Sequence, residues 1–483
     1  MKKILCIWIA LLTTLPLISC SGDISDGNVE STPMTSTESV TETAADTLPT
    51  VDMDGFTLRI SNVDPNALTW ANIMVVAEEQ DGTPVNDAIF QRNVELEEKY
   101  NCSFTQTLQT EFYNVSYIQE MVLSGSDEFD LCMVYDIRAT EVVGSMLDWN
   151  LLPYIDLTQS WWNPDATGMF AIQGKQYYTA GNASMGYLSR AMCYLVNWTL
   201  YDKIGYEEDL YLLVQDGAWT QDVFYSMAAQ AVLDTNGDGN YTAEDTYGVF
   251  GNPRAFLNTL MGGANIRFVE MDEDGNYVFR MAENEAAVNQ LSKIVQFINT
   301  NPNLYYNEGK APSELKPDTL FATGQALFHV QGLPHTIAQL REMEDNFGIL
   351  PLPKLNEEQL KYYAPSYGAV LTGIPQTVAS DRYTHLGLLM EAMTRRSQEL
   401  VVPQYKEVLM KDKLARDVES SDMLNIIFSS ITFDPGVVLW CSNLSDEICK
   451  NIFMAKNDAI VSYLTSATPV FQKLIDSFHT ALS

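Results

Sequence analysis

The chain has 483 residues, 46% of them hydrophobic, more than one hydrophobic core usually organises, so a body of two lobes is expected. Asp and Glu number 63 against 28 Lys and Arg, a formal net charge of −35. That charge repels nucleic acid and anionic lipid and leaves neutral or cationic ligands as the natural partners. Seven cysteines with no CxxC spacing argue against a disulfide framework and against a zinc site.

In chain order, Lys2 and Lys3 precede an apolar run from Ile4 to Leu15 that is too short for a membrane span. "LISC", Leu17 to Cys20, resembles the lipobox of bacterial lipoproteins, which implies a signal peptide over 1–19 and lipidation of Cys20. Residues 20–55 are rich in Ser, Thr, Asp and Glu and poor in bulky apolar groups. They read as a disordered tether with a reach of roughly 30 Å.

The folded body opens with "FTLRISNV", an alternating strand. A helix follows with Ile89, Val94, Leu96 and Tyr100 at helical spacing, and "FDLCMVYD" reads as a buried strand. "GKQYYTAGN" and "RAMCYLVNWTLYDKIGY" read as strands, and "TQDVFYSMAAQAVLD" as a helix capped by Thr220. A hairpin turns at Asp274-Gly275, and "NEAAVNQLSKIVQFINT" is an amphipathic helix. "GQALFHVQG" and "NFGILPLPK" are strands, "YTHLGLLMEAMT" a helix, and the C-terminal third is mainly helical. Strands alternating with helices imply α/β lobes with mostly parallel sheets.

The order of these segments resembles the extracellular solute-binding proteins of ABC transporters, in the sugar-binding, maltose-binding-protein-like branch. The resemblance covers most of 56–483. It rests on "RNVELEEKYNCSF", "FDLCMVYD", "GKQYYTAGNAS", "YLVNWTLYDKIG", "GAWTQDVFYSMAAQ", "GQALFHVQGLP" and "FGILPLPK" followed by "YGAVLTGIPQTVAS". Phe328 stands where Met is common in the family. The resemblance implies an α/β, two-lobe, periplasmic-binding-protein-like (Venus flytrap) fold with hinge crossovers. Lobe 1 would be 56–192 plus 373–430, and lobe 2 would be 193–372 plus 431–483. It further implies a monomer on the extracytoplasmic face of the membrane. That monomer would capture a carbohydrate, an oligosaccharide, in the cleft and deliver it to the transmembrane subunits of an ABC permease. A surface binding lipoprotein without a transporter, or a sensor's partner of the same fold, taking polysaccharide, peptide or another solute, is the alternative.

Sugars present apolar faces and a rim of hydroxyls, which call for aromatic rings and for carboxylate, amide or guanidinium groups. The candidates are Trp70 after the first strand, Asp136 and Arg138 after "LCMVY", and Trp161 and Trp162 in "QSWWNPD". Trp219, Phe256, Asn265, Tyr367 before the return crossing, and Trp440 complete the set. Of Trp161 and Trp162, one is expected to pack inward and the other to face the cleft.

Catalysis is not expected. No G-x-S-x-G elbow, HExxH or phosphate-binding glycine loop is present, and no local motif marks a pair of catalytic carboxylates. His329 reads as a core residue and His335 as a residue within reach of the cleft. No organic cofactor is implied. "DTNGDGNYTAED" follows the oxygen spacing of a calcium loop. Asp234, Asn236 and Asp238 fall at positions 1, 3 and 5, Asn240 and Thr242 at 7 and 9, and Asp245 at 12, with Gly239 at the turn. The expectation is a structural calcium ion within 234–245 that pins the end of a second-lobe helix.

Overall fold

The computed structural model describes residues 48–67, 73–111, 115–242, 244–301, 305–307, 319–333, 340, 343–409 and 418–482. Nine strands form its two main sheets: β1 (Phe56–Val63), β2 (Cys102–Gln109), β3 (Leu131–Tyr135), β4 (Met192–Asn197), β5 (Tyr247–Gly251), β6 (Tyr305–Asn307), β7 (Ala326–Gly332), β8 (Phe347–Leu350) and β9 (Val370–Gly373). The first sheet has the order β9-β3-β1-β2 and the second β6-β5-β7-β4-β8. β1 runs parallel to β2 and β3, and β5 runs parallel to β6 and β7. β9 is antiparallel to β3, and β4 is antiparallel to β7 and β8. These reversals have a topological cause. β4 and β9 are the strands by which the chain enters a new sheet from the other one, so they start at the end where the parallel strands stop.

The chain therefore changes sheets next to the carboxyl ends of β3, β5 and β7. Three crossing segments lie side by side there. Ala191 bridges to Ser366, and Ala364 and Pro365 pair with Ile431 and Thr432. The Ser366 N–H donates to Thr432 O at 2.8 Å and the Ala364 N–H to Ser430 O at 2.9 Å.

Helices α1 (Pro84–Tyr100), α2 (Gln221–Gln230), α3 (Pro253–Gly263), α4 (Glu285–Thr300), α5 (Tyr383–Leu409), α6 (Val418–Ser429) and α7 (Ile460–Leu482) cover the sheets. α1 starts with Pro84 in its first turn and stops at Asn101, which takes left-handed backbone with φ 48°. Its fully buried Arg92 has no carboxylate partner among the described residues. It donates instead to Ala183 O at 3.0 Å and to the Ser397 hydroxyl of α5 at 2.8 Å, and burial pushes its pKa down to about 9.

Two readings of the sequence change. The stretch after β4 is not strand: Trp198–Ile204 is a helix, because the Asn197 side chain caps it by accepting the Leu200 N–H and Gly205 ends it in left-handed backbone. α6, expected with the first lobe, packs on β8 of the second sheet, with Ser420 Oγ 3.0 Å from Tyr211 Oη. The cause is the length of α5. Its 27 residues span about 40 Å. Leu386 to Met393 pack with the first sheet, whereas Val401, Tyr405 and Leu409 have joined the core that contains the second sheet. Thr220 precedes α2 as expected, but its side chain makes no capping hydrogen bond.

Candidate functional site

Ligands of open α/β sheets bind beyond the carboxyl ends of the strands. In this chain both sheets point those ends at the three crossings. Asp136 is the first residue after β3, and its side chain is fully buried. Its carboxylate accepts the Ile137 N–H at 2.7 Å and the Ala369 N–H at 2.9 Å, while its own N–H donates to Ala369 O at 3.0 Å. Burial pushes its pKa up to about 7, against the opposing pull of these N–H groups and of Arg190. Asp136 thus fastens β3 to the return crossing, and its oxygens are engaged by the backbone. Two residues on, Arg138 is partly exposed and pairs with Glu141 at 2.7 Å. Thr140 Oγ1 reaches Leu439 O, on the second-sheet side, at 3.5 Å.

On that side, Asn252 caps α3 by accepting the Arg254 N–H at 3.0 Å, and this cap places Arg254 at the junction. Arg254 Nη1 donates to both Asp446 oxygens at 3.0 Å and lies 3.2 Å from Cys441 Sγ. Burial opposes the Arg254 charge, but Cys441, Tyr367 and Asp446 outweigh it and hold its pKa above the ordinary value. Tyr367 is buried on the return crossing, with the Arg190 guanidinium 5.8 Å from its ring centre. The junction thus presents two partly exposed ion pairs, Arg138 with Glu141 and Arg254 with Asp446, beside the buried Arg190 and Asp136. Such pairs offer donors and acceptors together without a net excess of charge.

Of the sequence candidates, Asp136, Arg138, Tyr367 and Trp440 come to this junction. Trp440, however, is 3% exposed. It packs edge-on to Tyr277 at 5.2 Å and to Phe478 at 5.3 Å, so no free ring face is offered. Trp219 is wholly buried against Phe224 and Phe328 and donates its indole N–H to Pro351 O at 2.9 Å, a core position. Phe256 is likewise core, between Phe224 and Phe453. Asn265 is exposed at φ 55° and ends α3, its N–H donating to Gly262 O.

Trp161 and Trp162 are held by one carboxylate from α5. Their indole N–H groups donate to the two oxygens of Glu391 at 2.8 and 2.9 Å. Trp162 is buried against Trp149, and Trp161 is half-buried with Arg395 over its ring at 5.7 Å. Trp162 thus packs inward, and Trp161 stays half-buried with its indole N–H clamped by the same carboxylate. Trp70, His335 and Cys20 lie outside the described residues. His329 is buried, with Nδ1 2.9 Å from Phe250 O.

Sequence reasoning missed Arg190, Arg254 and Asp446. One signal for Arg254 was present: "GNPR" places an asparagine cap, a first-turn proline and then a cation directly after a strand.

In the acidic loop, Leu233 and Thr246 close the base through a pair of backbone hydrogen bonds. The Asp234 carboxylate accepts the Gly237 and Gly239 N–H groups at 2.7 and 2.8 Å, and both glycines have positive φ. Asn236 accepts from Asp238 N, Asp238 from Asn240 N, and Asp245 from the Thr235 and Thr242 N–H groups. Among the described residues no three His, Cys, Asp or Glu side chains converge as a group that could hold a metal.

No protein-family model matches the chain, and no curated protein matches its sequence. Solved structures do match in fold. UspC of M. tuberculosis is 14% identical with a TM-score of 0.57, over 86% of this chain and 98% of its own. The galacto-N-biose-/lacto-N-biose I-binding protein of the ABC transporter from Bifidobacterium longum, in complex with lacto-N-biose, is 13% identical with a TM-score of 0.56, over 89% and 98%. The cyclic α-maltosyl-1,6-maltose binding protein from Arthrobacter globiformis is 14% identical with a TM-score of 0.54, over 89% and 98%. The chain has the two-lobe α/β fold of these proteins.

Proposed function

We propose that the protein is a binding protein for a neutral carbohydrate, an oligosaccharide, which it captures between the lobes and delivers to an ABC permease. The observation that carries this reading is the set of paired guanidinium and carboxylate groups at the strand ends of both sheets, beside three adjacent crossings. A polyhydroxylated ligand uses donors and acceptors at once, so each ion pair can chelate adjacent hydroxyls without importing a charge. A ligand bridging Arg138 with Glu141 and Arg254 with Asp446 touches both sheets. It therefore stabilises the closed arrangement of the lobes by its differential contacts, and no bond is broken. The fold shared with proteins crystallised with sugars agrees with the ligand class. The test is a thermal-shift screen against neutral oligosaccharides, peptides and polyamines. Sugars alone should raise the melting temperature; a response confined to peptides or polyamines would sink the proposal.

The same reading places a monomer outside the cytoplasmic membrane, tethered by a lipid on Cys20. No helix among the described residues is long and apolar enough to cross a membrane. Cys20→Ala should release the protein from the membrane fraction. Calcium in the 234–245 loop is also a proposal, supported by the oxygen spacing and by glycines at the two positive-φ positions. Asp234→Ala should lower the melting temperature in calcium and leave it unchanged in chelator, and an equal loss in both conditions removes the metal.

A further inference from the structure

Arg190 occupies the first crossing and is 8% exposed. Its Nε donates to Tyr367 O, on the return crossing, at 3.0 Å. Its guanidinium packs close against two glycines, Gly332 and Gly368. A Cβ at Gly332, the last residue of β7 in the second sheet, would sit 3.1 Å from Nη1. A Cβ at Gly368, two residues before β9 of the first sheet, would sit 3.3 Å from Nη2 and 3.3 Å from Oη of Tyr135, the last residue of β3. Asp136, at the end of β3, adds electrostatic attraction. One planar side chain thus touches the strand ends of both sheets and two of the three crossings. Any rotation of one sheet against the other must change these contacts.

We propose that Arg190 is a positioning residue that sets the angle between the lobes, its flat guanidinium acting as the spacer between Gly332 and Gly368. The proposal rests on the reading of a protein that opens and closes, but not on the identity of the ligand. A planar, always-charged group suits the role because its thickness is fixed and its edge carries the hydrogen bond to Tyr367. A lysine ammonium in the same place has the charge without the plane. Removing the spacer and adding a Cβ at one of its glycines should move the lobes in opposite senses, and packed hinges convert small local shifts into larger ones at the lobe tips.

The test measures the lobes directly, on the full mature chain without ligand. Azide-bearing amino acids replace Leu123, 87% exposed on the first-sheet side, and Leu212, 54% exposed on the second. Dyes attached there report the interlobe distance by single-molecule energy transfer, with every cysteine left in place. Arg190→Ala should displace the mean distance from wild type, and Gly332→Ala should displace it in the opposite sense. Arg190→Lys should follow Arg190→Ala. Distributions that superimpose on wild type, displacements of one sign, or full restoration by lysine each overturn the spacer. Should Arg190→Ala fail to fold, Gly332→Ala decides alone: a displaced mean supports the spacer and an unmoved one removes it. A wild type that binds no sugar would defeat the proposed ligand while leaving these distances to judge Arg190.

Discussion

Glu391→Gln is the perturbation that separates a structural clamp from a sugar platform at Trp161 and Trp162. Glu391 is 2% exposed, and each of its oxygens accepts one indole N–H. Glutamine keeps one acceptor and turns an amide N–H₂ toward the other indole donor. One charge-assisted bond is lost and one donor is orphaned, a cost of about 1.5–3 kcal/mol. Glu391→Ala removes both acceptors. It should cost about 2–4 kcal/mol, with the fully buried Trp162 donor dominating. The pH dependence carries a second signature. Burial raises the Glu391 pKa above its ordinary value, with the indole bonds pulling the other way. The native state therefore binds the proton more tightly than the unfolded chain. Wild-type stability falls as pH rises from the ordinary glutamate range through the raised value, and Glu391→Gln lacks that slope. Urea denaturation at several pH values measures both effects. An unchanged urea midpoint in Glu391→Gln, together with weakened sugar binding, would refute the clamp and return the two tryptophans to the ligand.

Three further outcomes follow from the same geometry. Asp136 has its pKa raised to about 7 by burial, so wild-type stability should decline between about pH 4 and pH 7. Asp136→Asn should flatten that decline in a pH series of melting temperatures. Asp130, wholly buried, accepts Arg59 Nη2 at 2.9 Å and Arg382 Nε and Nη2 at 2.7 Å each. Asp130→Ala strands two guanidinium groups and should cost about 3 kcal/mol in denaturant titration. Trp219→Ala should cost about 3–5 kcal/mol as a core cavity, with the affinity of the protein that remains folded unchanged in calorimetry.

The sequence pattern carried the architecture further than the site. "FTLRISNV" and "LCMVY" read as strands because alternation or continuous burial is written into adjacent residues, and both lie in the first sheet. The order of segments gave the two-lobe fold, because crossings between sheets leave strands and helices in a recognisable succession. Side-chain roles were less legible. Trp161 and Trp162 look like a binding pair until Glu391, about 230 positions away, takes both indole donors. Trp219 and Phe256 are aromatic in either role, and only packing against Phe224 assigns them to the core. Arg190 gave no local signal, since its partners come from one distant crossing, Tyr367 and Gly368, and one distant strand end, Gly332. The strand-like reading of "NWTLYDKIG" failed for a local reason: apolar continuity hid the capping role of Asn197.

The central claim is that a neutral carbohydrate is held by ion pairs contributed from both lobes. Calorimetric titration of an oligosaccharide into wild type and Arg254→Ala tests it most directly. Wild type should bind one ligand per chain. Arg254→Ala, which loses the donor paired with Asp446, should bind about tenfold more weakly or worse, a loss of at least about 1.4 kcal/mol, with its fold intact. Equal affinities in the two proteins, or no heat from any oligosaccharide in wild type, would contradict it.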